Sequence, residues 1–175
     1  MVTFEPPRVL ADDTDPWTAT GLSRSGMNRF LRAVQTALAV RGEVDVLLAG
    51  DRTLRRLNRT YRGKNKATDV LSFPAPEELA GEHGGDLAIS IDTAKRQAAE
   101  QGHGLREEVR VLLLHGVLHL SGMDHETDRG EMAAREAELR KAFRLPDGLI
   151  ARAAKPGHAA KVAVSKRAKG KRVAS

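Results

Sequence analysis

The sequence predicts an α+β fold, a small mixed sheet of about four strands packed against about five helices. Three observations predict it. At 175 residues, 41% of them hydrophobic, the chain suits one ordinary core. Strand-like and helix-like runs are interspersed along it rather than segregated into blocks. The apolar stretches are also short. The longest, Val111 to Leu120, spans ten residues and holds two histidines, whereas a membrane-spanning helix needs about 20.

The elements follow in order. Residues 8–11 (RVLA) read as a short first strand. Ser25 is placed to cap a helix running to about Val40, with Phe30, Leu31, Val34 and Leu38 as its apolar stripe. Val44 to Ala49 reads as a strand, and Asp51 as the cap of a helix through about Tyr61. Thr68 to Phe73 is a strand that stops at Pro74, and Asp86 to Ile91 is another after a Gly-rich loop. Asp92 caps a helix to about Gln101. A further helix runs from about Leu105 to Leu120 and ends near Gly122; the last covers about Asp128 to Phe143, before Pro146.

Residues 1–150 are therefore expected to form one domain. Residues 151–175 consist largely of Ala, Lys, Arg, Gly and Val without an apolar period, and read as a disordered basic tail. The net charge of +6 belongs to that tail. It holds eight of the 29 Lys and Arg and no Asp or Glu, so residues 1–150 carry 21 basic against 23 acidic side chains, a net of −2. No cysteine is present, which excludes disulfides, thiolate metal sites and a cysteine nucleophile. Met1 to Asp15 shows no basic region followed by an apolar stretch. A cytoplasmic chain with no membrane partner is expected.

Three of the six histidines fall within eleven residues: His115, His119 and His125, in HGVLHLSGMDH. Residues four apart on a helix stand one above the other, so two imidazoles can converge on one ion. The helix itself cannot bring a third ligand to that point. Gly122 stands where a left-handed residue would end the helix and return His125. The spacing equals that of the metzincin pattern H-E-x-x-H-x-x-G-x-x-H, which makes this a zincin-like metal helix. Three nitrogens leave the fourth tetrahedral position of one zinc ion for water, the mark of a catalytic site. The metzincin glutamate, however, is replaced by Gly116, which has no side chain to take a proton. His83, His103 and His158 sit in loop or tail contexts and are expected to have no special role.

The helix after Asp51 reads RTLRRLNRTYR. At about 100° per residue, Arg52, Arg55, Arg56, Arg59 and Arg62 share an arc of about 120°, with Leu54, Leu57 and Tyr61 opposite. Such a row suits phosphate, since the guanidinium fork can make two parallel bonds to its oxygens. Alone it reads equally as a solvated face; beside a hydrolytic metal, phosphodiester chemistry is the better reading. The low aromatic content, 3%, argues against extensive base stacking. The tail has two readings as well, a solubilising extension or an electrostatic anchor for nucleic acid.

The segment HGVLHLSGMDH resembles the signature of the YbeY family of bacterial endoribonucleases, HGxLHLxGYDH. Leu57 to Pro74 (LNRTYRGKNKATDVLSFP) and Gly85 to Ser90 (GDLAIS) resemble two further stretches of that family, in its order. The resemblance covers about residues 8–145. Met123 departs from the family's tyrosine, Asn65 from a common aspartate and Ala67 from a common proline. The resemblance implies a zinc-dependent endoribonuclease of single-stranded RNA, acting in 3′-end maturation of small-subunit ribosomal RNA and in ribosome quality control. It implies His115, His119 and His125 as metal ligands and Arg62 as the arginine that handles RNA. The expected partners are RNA and the small ribosomal subunit. Asp124, beside His125, reads either as a proton carrier or as a turn residue. Two other functions stand against the nuclease: a zinc peptidase or amidase, and a non-catalytic ribosome assembly factor with structural zinc.

Overall fold

Ser23, rather than Ser25, starts the first described helix: in this computed structural model its Oγ accepts from the Gly26 amide at 3.2 Å. The structure describes residues 1–4, 17, 20–79, 81–146 and 163–164. Helix α1 (Arg24–Ala37) buries Met27, Phe30, Leu31 and Val34, and ends before the expected Val40 because Ala39 turns left-handed, with φ 53°. Four further helices follow among the described residues: α2 (Asp51–Arg62), α3 (Ile91–Gln101), α4 (Leu105–Leu120) and α5 (Glu131–Ala142).

The sheet is mixed, as expected. Its strands are β1 (Val2–Phe4), β2 (Glu43–Ala49), β3 (Val70–Phe73), β4 (His83–Ser90) and β5 (Ala163–Val164). They lie in the order β1-β2-β4-β3-β5, with β3 antiparallel to β4 and the other pairs parallel. The edge strands β1 and β5 were not expected. At three and two residues they are too short to display an alternating pattern. The strand expected at 8–11 lies outside the described residues, as does the tail expected to be disordered, apart from β5.

Alternation along the strands divides the core. Val44, Val46, Leu48, Val70, Leu87 and Ile89 face α4 and join the main cluster. Leu47, Ala49, Leu71, Phe73 and Ala88 point the other way, where Leu54 and Leu57 of α2 cover part of them. Helix α4 is apolar nearly all round and is buried from Glu108 to His119 except at the half-buried Arg110. Such a helix is stable only as the centre of a layer, and it packs on β3 and β4 with α1, α3 and α5 around it. No described helix is long and apolar enough to cross a membrane.

The aspartates expected to cap α2 and α3 have a different job. Gly50 and Ser90 occupy the cap positions. The two aspartates instead tie one helix start to the other. Asp92 accepts from the Asp51 amide at 2.9 Å, and Asp51 accepts from the Ser90 hydroxyl, from Thr93 Oγ1 at 2.7 Å and from Arg96 Nη2 at 2.9 Å. Burial alone would raise the Asp51 carboxyl; the three donors outweigh it and hold the group below the usual carboxylate range. Its contribution to stability is therefore present above the unfolded carboxyl value and is lost as pH falls through the lowered one. Asp51→Asn is expected to cost about 1–2 kcal/mol at neutral pH. Urea unfolding across pH should show the gap between wild type and variant closing on acidification.

Candidate metal centre

Helix α4 places His115 and His119 one turn apart at its C-terminal end, both buried. The helix stops at Leu120, and Gly122 takes φ 92°, where only glycine sits without strain. The Met123 amide donates back to the Leu118 carbonyl at 3.2 Å and that of Gly122 to His119 at 3.0 Å, closing the helix end. The chain then returns His125. Its ring centroid lies 5.4 Å from His115 and 5.3 Å from His119, and those two are 4.8 Å apart. One nitrogen from each of the three lies within 4.8 Å of the others. The predicted convergence is therefore present.

The outward nitrogens are already engaged. His115 Nδ1 lies 2.7 Å from Glu136 Oε1, and His119 Nδ1 lies 3.0 Å from the Met123 carbonyl. A carbonyl and a carboxylate only accept, so both Nδ1 atoms carry hydrogen. With both rings neutral, the form that binds a metal, the two Nε2 atoms present lone pairs to each other across 3.1 Å. Two acceptors at that distance repel unless a cation stands between them. His125 Nδ1 adds a buried nitrogen with no hydrogen-bond partner among the described residues. Burial first, then the His115 and His125 rings, push His119 down from 6.5 to about 3. Burial and His115 lower His125 as well. Neutral imidazoles are what a metal needs. The donor set, all nitrogen and without thiolate, fits one ion of the zinc type.

Glu136 was missed by sequence reading. Its signal lay in α5, whose inward stripe runs Met132, Glu136, Leu139. A carboxylate at an apolar position of a helical stripe marks a buried partner. Asp124 makes the bonds of a turn residue: its Oδ1 accepts from the Glu126 amide at 3.1 Å and its carbonyl from the Thr127 and Asp128 amides. Met123 acts through its carbonyl, so the departure from tyrosine leaves the His119 contact intact. Asp128, expected to open the last helix, accepts from the Gly130 and Met132 amides, both at 2.8 Å, just ahead of it. His103 does carry a structural role, lying 2.6 Å from the fully buried Glu108.

Gly116 faces the sheet rather than the site. A Cβ there would stand 2.8 Å from Leu87 Cδ2 and 3.4 Å from Val70 Cγ2, and the Gly116 carbonyl accepts from Ser72 Oγ at 3.3 Å. The metzincin glutamate is thus excluded by packing as well as by identity.

Arg62 ends α2 half-buried. Burial lowers its guanidinium and the field of Glu126, the residue after His125, opposes the drop. The Glu126 field puts the Arg62 guanidinium within electrostatic range of the histidine loop, while Arg52, Arg55, Arg56 and Arg59 stay exposed as the expected row. Tyr61 departs from expectation. It is 58% exposed and meets Phe73 edge to face at 5.1 Å, since the last turn of α2 lies over the end of β3.

A central helix bearing two histidines, a glycine turn and a returning third define a chain able to hold one metal ion on three imidazoles. Residues 17–144 match the family described as Endoribonuclease YbeY. The endoribonuclease YbeY of Koribacter versatilis is 52% identical over 136 residues, 78% of this chain and 88% of that protein. That of Solibacter usitatus is 50% identical over 131 residues, 75% of this chain and 86% of that one. The solution structure of TM1509 from Thermotoga maritima aligns with a TM-score of 0.50 at 25% identity, over 69% of this chain and 83% of that one. The chain belongs to the endoribonuclease YbeY family.

Two predictions follow from the geometry. Glu136→Gln is expected to weaken zinc binding about 10- to 100-fold, read by competition with a chromophoric chelator. Gly116→Glu, which restores the metzincin residue, is expected to cost about 3–5 kcal/mol in urea unfolding and to yield no peptide cleavage.

Proposed function

We propose that this chain is a metal-dependent endoribonuclease that hydrolyses phosphodiester bonds in single-stranded RNA. The ion is one zinc held by His115, His119 and His125, and Arg62 is the catalytic cation. The observation that carries the reading is the pair of Nε2 atoms facing each other at 3.1 Å with both Nδ1 atoms engaged. Family membership supplies the substrate class, since the named relatives are endoribonucleases.

When bound, zinc supplies a Lewis acid for a phosphoryl oxygen and lowers the pKa of its water. The chain's residues do the rest. Glu136 fixes the His115 ring and the Met123 carbonyl that of His119, so neither imidazole can turn away. Arg62 binds the scissile phosphate or its neighbour and neutralises charge that grows on its oxygens. The exposed arginines of α2 hold the flanking backbone. A peptidase of metzincin type lacks its base, and position 116 is turned away from the site.

The proposal extends to biological setting. The domain spans residues 1–150 and works in the cytoplasm on ribosomal RNA of the small subunit, in 3′-end maturation and quality control. Residues 151–175, with eight basic side chains and no acidic one, add a non-specific hold on RNA.

The test is cleavage of a single-stranded ribosomal RNA fragment by metal-loaded protein. Metal-stripped protein and His119→Ala are expected to be inactive, with zinc restoring only the former. Arg62→Ala is expected to lose about 10²- to 10³-fold in kcat while keeping its metal. Equal cleavage by all preparations would mean a contaminating nuclease and would leave a non-catalytic assembly factor as the better reading.

A further inference from the structure

Asn58 is a polar side chain in an apolar place. It stands one turn after Leu54 on the inward stripe of α2, and the two are 3% and 0% exposed. The atom it turns to the Lys66 carbonyl, at 2.7 Å, is its Nδ2, since a carbonyl only accepts. Its Oδ1 is buried with no hydrogen-bond partner among the described residues. An unpaired buried acceptor costs stability, and an apolar side chain of similar shape avoids that cost. Stability therefore does not account for an amide here. The segment that its one bond fixes does.

That segment is the turn that closes α2. Gly63 follows Arg62 with φ 68°, in the left-handed region, and its amide donates to the Arg59 carbonyl at 3.0 Å. The Lys64 amide donates to the Asn58 carbonyl at 3.3 Å. Asn58 thus grips the returning chain twice, by its backbone at Lys64 and by its side chain at Lys66. Arg62 is the last residue of the helix, inside that grip.

A helix end without such a grip frays. Fraying here would spread Arg62 over many positions. Its guanidinium is instead half-buried and in the field of Glu126, the neighbour of His125. A cation that meets charge growing on a phosphate works by being in place beforehand, and a displacement of about 1 Å can cost about 10²-fold in rate.

We propose that Asn58 and Gly63 are positioning residues that hold Arg62 against the reacting phosphate. Neither touches the substrate; both act through the turn. The proposal rests on the endoribonuclease reading and on Arg62 as its cation.

The experiment compares full-length, metal-loaded variants on a single-stranded ribosomal RNA fragment. Cleavage is read as kcat, and binding as fluorescence anisotropy across salt concentrations. Asn58→Ala is expected to lose roughly 10- to 100-fold in kcat. Its RNA affinity and the salt dependence of that affinity should match wild type, because every cation is still present. In an Arg62→Ala background the same substitution should cost nothing further, since the two act on one interaction. The Gly63 variants disturb the turn without touching Asn58, and they decide alone should Asn58→Ala not fold. A Cβ at Gly63 meets nothing within 4 Å, so Ala and Asn both fit and differ chiefly in their tolerance of the left-handed backbone. Gly63→Ala is expected to lose kcat in the same direction, and Gly63→Asn to recover most of it. No loss from Asn58→Ala, an equal loss in both backgrounds, or Gly63→Asn falling as far as Gly63→Ala overturns the positioning role and leaves the nuclease reading standing. Absence of wild-type cleavage, or cleavage matched by Arg62→Ala, overturns the reading of Arg62 and the positioning role together.

Discussion

Two imidazole nitrogens held 3.1 Å apart at the end of a buried helix set the terms for the rest of this molecule. With both rings neutral each nitrogen is an acceptor, and the arrangement is then unfavourable by itself. It persists because the outer nitrogens are fixed, one by the Glu136 carboxylate and one by the Met123 carbonyl. Those partners come from different places. Glu136 needs α5 docked against α4, and Met123 needs the reversal at Gly122. The histidine cluster is therefore assembled by tertiary packing and local turn geometry together. Ligand affinity in such a site draws on the stability of the whole domain.

Helix α4 is the reason the site is rigid. Its flanks are occupied by the sheet and three helices, and Gly116 brings its backbone onto Leu87 and Val70. A side chain at 116 would press on the Leu87 methyls, which would have to move. The glycine that lacks a metzincin-type base is thus also where the helix lies close on the sheet. One residue decides both the chemistry that is absent and the packing that is present.

Much of this was legible in the sequence, and the limits have physical causes. The histidine spacing and Gly122 fixed the convergence, because a helix and one left-handed residue leave few ways to return a chain in three residues. The bounds of α4 were readable since its apolar run is continuous. Asp51 and Asp92 misled, because an aspartate near a helix start normally caps its own helix, and here each serves its neighbour's. Glu136 was hidden by being charged where the pattern wanted an apolar residue. Tyr61 sits on the apolar side of the helical wheel, but the wheel does not know where the sheet ends. The shortest strands, β1 and β5, depend on a sheet edge and carry no periodic signal of their own.

The position of the site at helix ends bears on what it can hold. The C-terminus of a helix carries partial negative charge, worth about 0.3–1 kcal/mol to a nearby cation. His119 lies in the last turn of α4, so that end favours a metal ion and disfavours a phosphate. Helix α2 also ends on this side, with Arg59 and Arg62 in its last turn. A phosphodiester brought here gains nothing from the two helix ends themselves. Its negative charge would have to be met by side chains and by the ion, and the proposed cation is Arg62, half-buried and in the field of Glu126. An arginine in that setting stays charged where a lysine would tend to lose its proton.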